Sequence, residues 1–542
     1  MKTSKLLYAF AITFSLALTG CNDFLDITPN DRITGDNFYR NEDDLKAATA
    51  PLYNKVWFDF NDKFYFGLGD GRSYNLYAPY SDYIYPFADL AETGLTGPLV
   101  SAWQSLYNII QQSNKVIIGI TESSVSESVK SQYIAEARFM RGVAYWYLAS
   151  LWGDVVISED SGKLISNPIV NTNPRTDVFE FLIRDLEYAA KYLPETVGQA
   201  GRLTKYSAYG MLSRVYLSYA GLSNDPNSHT RNQTYLDLAK NAAKKVIAES
   251  NYKLLPDYAS LFTIENNNNS ESLFALQWVP NGDYGVTNTH QAYFAYNSVI
   301  TGDDAAWGAW TRATYDVLKE YETGDLRRKA TWMSLGDHYP EINKAAGGIT
   351  FEESDQYCNV KKGVVGSTKD NPSISRMNSA LNTYMMRLAE VYLIYAEATL
   401  GNDASTEDPE ALEYFNLVRT RSGLSAETEL TYNKIIHERR VELCMEGQYW
   451  YDLVRRAYYE QQEVINYITS QEREKIQPIL YDTVTNTVSI DASRDPDDRA
   501  IGNVDEGIFL LPYPESELVQ NPLLKEPPVP YEFTEERITG LF

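Results

Sequence analysis

Histidine and cysteine are scarce in this 542-residue chain, and both scarcities narrow what it can do. The four histidines (His229, His290, His338, His437) stand far apart, with no H-E-x-x-H pair to hold a metal. No G-x-S-x-G elbow is present, so nucleophilic hydrolysis has no sequence support. Gly67-Leu68-Gly69-Asp70-Gly71 lacks the spacing and following helix that phosphate binding requires, and it reads as a turn. No metal or cofactor is expected. Positive charge is also short: 48 Lys and Arg against 73 Asp and Glu leave a net charge of −25. Such a surface repels phosphate backbones, which argues against a nucleic-acid partner. Beyond the first twenty residues, no apolar run is long enough to span a bilayer.

The N-terminus reads as an address. Lys2 and Lys5 precede an apolar run, residues 6–18, that is too short for a membrane span. Leu18-Thr19-Gly20-Cys21 then gives small residues before a cysteine, the pattern of a bacterial lipoprotein processing site. Residues 1–20 are expected as signal peptide and Cys21 as the acylated first residue, anchoring the chain to a membrane through lipid. Losing two lysines and no acid with the leader moves the charge from −25 to −27. Residues 21–40 read as a polar tether. Cys358 and Cys444 remain; they either pair or lie buried as small apolar groups, and burial is the simpler expectation.

What the chain has in quantity is helical periodicity. In residues 133–157, Tyr133, Ala137, Met140, Ala144, Leu148 and Leu151 form one apolar stripe, and Tyr145, Trp146, Tyr147 and Trp152 carry it almost all round. Such a helix is covered on more than one side. Helical patterns also fall at 41–57, 103–120, 175–193, 203–219, 235–250, 384–400, 409–421 and 432–457. Recurring pairs of this length predict an all-α-dominated fold of tetratricopeptide-like helix pairs with few short strands. We read residues 41–542 as one domain, with a helical scaffold over about 41–250 and 384–460. Loop-rich regions fall at about 58–98 and 251–380, and a C-terminal tail, 461–542, wraps the body.

The loops hold the second abundance. Tyrosine numbers 42 against 20 Phe, with 9 Trp. Arg72, Tyr74, Asn75, Tyr77, Tyr80, Tyr83 and Tyr85 fall in one non-periodic stretch; Trp278, Tyr284, Tyr293, Tyr296, Trp307 and Trp310 fall in another. A sugar ring has an apolar C–H face and a rim of hydroxyls, which suits flat aromatic faces bordered by Asn, Asp and Arg. The candidate ligand contacts are Arg72, Tyr74, Asn75, Tyr77, Tyr284, Tyr296, Trp307 and Trp310. Adjacent Asp303 and Asp304 rarely point at one substrate from opposite sides, so they make a poor glycosidase pair. His437-Glu438-Arg439-Arg440 lies inside a helix, where charge pairs explain it best.

With these blocks laid out, the chain resembles the SusD/RagB family of surface glycan-binding lipoproteins. The matching segments are Leu18-Thr19-Gly20-Cys21 with Asp23-Phe24-Leu25-Asp26, then Ala135-Glu136-Ala137-Arg138-Phe139 through Trp152-Gly153-Asp154-Val155. Arg175-Thr176-Asp177-Val178, Gly201-Arg202-Leu203-Thr204-Lys205 and Arg387-Leu388-Ala389-Glu390-Val391 follow in order. So do Asn416-Leu417-Val418-Arg419, Glu438-Arg439-Arg440-Val441-Glu442, Gly447-Gln448-Tyr449-Trp450 and Leu511-Pro512-Tyr513-Pro514. The resemblance implies binding without catalysis, a surface-facing place on the cell outer membrane, and a SusC-like TonB-dependent barrel as partner. The family's ligand contacts lie in variable loops, so no binding residue carries over. The alternatives from other classes are a lipid-anchored glycoside hydrolase and a binder of peptide or other non-glycan cargo.

Overall fold

The computed structural model describes residues 38–542 apart from 226–227, 353–356, 375, 483–484 and 486. Cys21, the leader and most of the tether lie outside the described residues. The longer helices are α1 (Glu42–Thr49), α2 (Gly97–Glu122), α3 (Glu127–Trp152), α4 (Arg175–Tyr192), α5 (Lys205–Leu222) and α6 (Gln233–Glu249). Beyond the second loop region come α7 (Leu388–Leu400), α8 (Pro409–Arg421), α9 (Tyr432–Glu442) and α10 (Tyr449–Thr469).

The helix that carries the strongest periodicity is the centre of the scaffold. Every residue of α3 from Ala135 to Trp152 is buried. Helices α2 and α4 flank it, and from there α4 packs on α5, α5 on α6, α6 on α7 and α7 on α8. Each helix touching the next is the layout of an all-helical repeat scaffold. Gly142 sets the closeness of α3 to α4, because a Cβ there would lie 3.3 Å from the Leu182 carbonyl oxygen. The three helices are pinned by Arg141. Its Nε and Nη2 donate to the two oxygens of Asp185 at 2.7 Å each, while Nη1 donates to Asn114 Oδ1 at 2.7 Å. A fork of this kind fixes orientation as well as distance.

Three helical expectations need correcting. The pattern at 41–57 yields α1 only as far as Thr49; Pro51 turns the rest into two short 3₁₀ segments, Ala50–Tyr53 and Lys55–Trp57. Tyr384 lies in a strand (Thr383–Arg387) and helix α7 begins only at Leu388. The pattern at 432–457 is two helices, separated by a turn in which Gly447 takes a left-handed φ of +65°.

Short strands join the loop regions. Strands β1 (Leu76–Tyr77), β3 (Arg312–Ala313), β5 (Asn359–Val360) and β4 (Trp332–Met333) form one antiparallel sheet in that spatial order, while β2 (Ser272–Leu276) pairs with β6 (Thr383–Arg387). The register places Leu76 opposite Ala313 and Tyr77 opposite Arg312. Residues far apart in sequence are thus brought into one body, over a second apolar core that includes Trp332, Phe294 and both buried thiols, Cys358 and Cys444. Along the C-terminal tail, Leu511 N donates to the Leu151 carbonyl at 2.7 Å and Tyr513 hydroxyl to the Asp154 carbonyl at 2.6 Å.

Glu438, Arg439 and Arg440 are buried rather than lying on a solvated helix face. Arg327 donates to Asp325 and Glu442 and pairs with Glu438. Arg387 meets Glu271, Glu442 and Glu446 at 2.9, 2.6 and 2.8 Å. Lys362 Nζ lies 2.8 Å from Glu446. A parallel set joins Arg439 and Arg455 to Asp452, and Arg455 to Glu397.

Candidate functional site

Asp62 organises the loop face. Its buried carboxylate accepts from Tyr284 hydroxyl at 3.0 Å, Thr289 Oγ1 at 2.5 Å and Tyr293 hydroxyl at 3.2 Å, with Lys63 Nζ 3.4 Å away. Burial and the Asp62 charge raise the pKa of the Tyr284 and Tyr293 phenols, so both stay protonated donors. The Tyr284 ring also rests edge-on against Phe58, with centroids 4.7 Å apart, yet 55% of the residue is exposed. It is an anchored ring facing solvent.

Tyr293 is buried and supports its neighbours. Its centroid lies 5.0 Å from Tyr83 and 5.7 Å from Trp307, and Lys63 Nζ is 5.8 Å from the Tyr83 and Tyr293 rings. Trp307 is 46% exposed, and its amide donates to the Ala292 carbonyl at 2.7 Å. One short 3₁₀ segment, Gly308–Trp310, carries the chain on to Trp310, which is 51% exposed and edge-on to Tyr80 at 5.2 Å. Beside Tyr284 opens a cleft of about 530 Å³ lined by Asp59, Asp62, Lys63, Asp82, Tyr83 and Tyr85 among others. Burial, then Asp62, pushes the Asp59 carboxyl up.

The arrangement pairs fixed, solvent-facing rings with carboxylates and an ammonium at their edge. That suits a ligand with apolar faces and many hydroxyls. Asp62 is committed to three hydroxyl donors, two of them on the rings it holds. Asp303 accepts from the Ala305 amide at 2.7 Å and Asp304 pairs with Arg376 at the surface. Among the described residues no group of His, Cys, Asp and Glu has the makings of a metal site.

Of the eight sequence candidates, the structure brings Tyr284 and Trp307 onto this face through Asp62 and Tyr293, and exposes Trp310 nearby. Tyr296 is half-buried, edge-on to Phe351 at 5.4 Å. Arg72 and Asn75, expected as ligand contacts, are corrected: both belong to the interior. Arg72 donates to the Ile508 carbonyl at 2.8 Å, pairs with Glu92 and stacks over Trp450. Asn75 donates to Asp70 at 3.2 Å and accepts from Arg440 Nε at 3.0 Å. Tyr74 and Tyr77 are buried too and line a separate small cavity. Sequence reasoning missed Asp62, which lies 222 positions from Tyr284 and belongs to no motif. Tyr80 belongs to the early aromatic stretch, and nothing local in the sequence separates it from its buried neighbours Tyr74 and Tyr77.

Comparison with known proteins decides the family. A model described as "SusD family" matches residues 220–529, and one described as "Starch-binding associating with outer membrane" matches residues 88–217. The chain belongs to the SusD family. A SusD-like protein of Bacteroides ovatus is 39% identical over 555 residues, 99% of each chain. A solved structure described as a crystal structure with xylogluco-oligosaccharide is 38% identical with a TM-score of 0.84, covering 91% of this chain and 100% of the other. A laminarin-binding SusD-like protein, 22% identical with a TM-score of 0.67 over 89% of this chain and 98% of its own, shares the SusD fold. Among the described residues, no helix is long and apolar enough to cross a membrane.

Proposed function

We propose that this chain is a surface-facing outer-membrane lipoprotein, anchored through Cys21, that binds a glycan and delivers it to a SusC-like TonB-dependent barrel. The observation that carries the binding reading is the set of exposed rings, Tyr284 and Trp307, locked in place by Asp62 and Tyr293, with Trp310 and Tyr80 close by. Family membership and the xylogluco-oligosaccharide complex of a 38% identical relative support it. The polar cleft beside Tyr284 suits hydroxyl-rich rather than strongly anionic sugars, since three aspartates there face one lysine. Tyr284, Trp307 and Trp310 are proposed as stacking residues, with Tyr296 at the margin. Catalysis is not part of the reading.

Affinity electrophoresis of residues 22–542 against xyloglucan, laminarin and an acidic polysaccharide, with reducing ends assayed in the same samples, tests this. Retardation by a neutral glycan without new reducing ends is the expected result. New reducing ends would make the chain a hydrolase, and no retardation by any glycan would turn the reading towards peptide or other cargo. Co-purification of a membrane barrel with the lipidated chain tests the delivery partner.

A further inference from the structure

A cavity of about 110 Å³, separate from the rings just described, lies against β1 and β3. Arg312 and Tyr77 line it as directly paired cross-strand neighbours, exposed by only 2% and 1%. Ring faces hold the guanidinium: its carbon lies 3.5 Å from the Tyr357 centroid and 5.5 Å from that of Trp310. Stacking of this kind uses the face of the group and leaves its N–H edge for hydrogen bonds. Two of the three nitrogens on that edge are unsatisfied. Arg312 Nε, Arg312 Nη1 and the Tyr77 hydroxyl all lack a hydrogen-bond partner among the described residues.

Buried polar groups are paired as a rule, so three orphaned groups on two adjoining residues at one cavity form a cluster that asks for an acceptor. The buried arginines of the helical core differ, since Arg327 and Arg387 each meet several carboxylates. Burial lowers the Arg312 pKa, with Tyr357 and the Asp497 charge opposing it. Lys319 and Lys475 add positive charge to the wall, against Asp316 and Glu472. Asp316 is already taken by Arg440 at 2.7 Å, Lys319 at 2.8 Å and Gln471 at 2.9 Å. With Arg440 on Asp316 and Asp497 acting on Arg312, four cations face three acids, and the single positive charge in excess suits a monoanion better than a dianion such as phosphate.

We propose that this cavity binds the carboxylate of a small organic monoanion, with the Arg312 guanidinium and the Tyr77 hydroxyl donating to its oxygens. The carboxylate belongs either to a sugar acid or to a short free acid. None of Tyr284, Trp307 or Trp310 lines the cavity, but Trp310 flanks the Arg312 guanidinium, so Tyr77→Phe is the variant that tests this site while leaving the glycan-facing rings in place.

Calorimetry and saturation-transfer NMR on the purified chain with acetate, D-glucuronate and D-glucose, at matched ionic strength in chloride, test it. Binding of a carboxylate but not of glucose is expected. Glucuronate tighter than acetate by about tenfold assigns a sugar acid, and equal or tighter acetate assigns a short free acid. Arg312→Gln weakens binding by about tenfold and Tyr77→Phe by about threefold. Tyr77→Phe removes only an unpaired hydroxyl, so it decides the matter if Arg312→Gln fails to fold. No carboxylate binding, or equal binding by wild type and the folded variants, overturns the proposal.

Discussion

The ionic core beneath α9 and the ring-bearing face around Asp62 are built from similar parts put to opposite use. Both bring together polar groups from distant parts of the chain. In the core, the buried Arg327 and Arg387 are met by Asp325, Glu271, Glu438, Glu442 and Glu446, and the half-buried Arg421 pairs with Glu271 and Glu442. At the face, Asp62 spends its hydrogen bonds on the edges of Tyr284 and Tyr293, so that the flat side of Tyr284 stays exposed. The first arrangement consumes its binding capacity internally; the second uses a buried charge to hold an apolar surface ready for a partner. Burial of a paired charge is weak evidence for stability, but removal of one partner is costly because the other remains buried.

The comparison breaks most sharply at Arg387. Arg387→Met leaves Glu271, Glu442 and Glu446 without a shared cation, and should cost about 3–5 kcal/mol of stability in urea unfolding. A loss no larger than that of a surface substitution would mean the network is dispensable. Trp307→Ala is the opposite case. It should weaken glycan binding by about tenfold, about 1.4 kcal/mol, while leaving the unfolding midpoint nearly unchanged. A large drop in midpoint would make Trp307 a packing residue.

Acid sharpens the contrast further. Burial alone would raise the Glu397 pKa, but Arg455 and Arg231 pull it down to about 2; Glu390, Glu442 and Glu446 are also held below their usual value. Their stabilisation is complete above about pH 4.5 and is lost as pH falls towards about 2. Two other buried groups act earlier and in opposite directions. Burial pushes His290 down to about 4, which removes stability as pH falls from its unfolded value of 6.5. Burial lifts Asp70 to about 6, so its unfavourable charge is relieved as pH falls from there towards 3.8. The melting temperature should therefore change little between pH 6.5 and 4.5 and fall steeply below, as a calorimetric pH series would reveal. A steep fall already complete at pH 5 would mean that the carboxylates of the core are not held down. The smallest effect belongs to Tyr284→Phe, which keeps the ring and loses its tie to Asp62. About twofold to threefold weaker glycan binding is expected from the loss of one hydrogen bond. Unchanged affinity would mean that Asp62 does not position the ring.

The helices were legible because each one repeats its apolar side chains every three to four residues, and packing follows that stripe. Pro409 at the first turn and the Asp408 cap place the start of α8 where the pattern does. The breaks were harder. Pro51 was visible, but the apolar spacing ran through it; the left-handed turn at Gly447 is set by contact with Tyr65, since a Cβ there would meet that ring at 2.9 Å. Charge was the least legible feature. At helical spacing, Glu438-Arg439-Arg440 reads as a run of local charge pairs, because nothing local reveals that Glu390 reaches Arg439 from 49 positions away, Arg327 reaches Glu438 from 111 and Asp316 reaches Arg440 from 124.

The sequence by itself determined the helical scaffold and the family, since periodicity and ordered motifs are local properties of the chain. The early aromatic stretch, which reads as loop with a turn at 67–71, is instead helical over residues 58–72, with π-helical segments at Phe60–Phe64 and Gly67–Arg72. Which rings face solvent was decided only in three dimensions. Tyr74 and Tyr77 share the early loop with Tyr80, yet β-pairing with residues 312–313 buries Tyr77 and leaves Tyr80 75% exposed. Burial is a property of what packs across from a side chain, and those neighbours come from more than two hundred residues away.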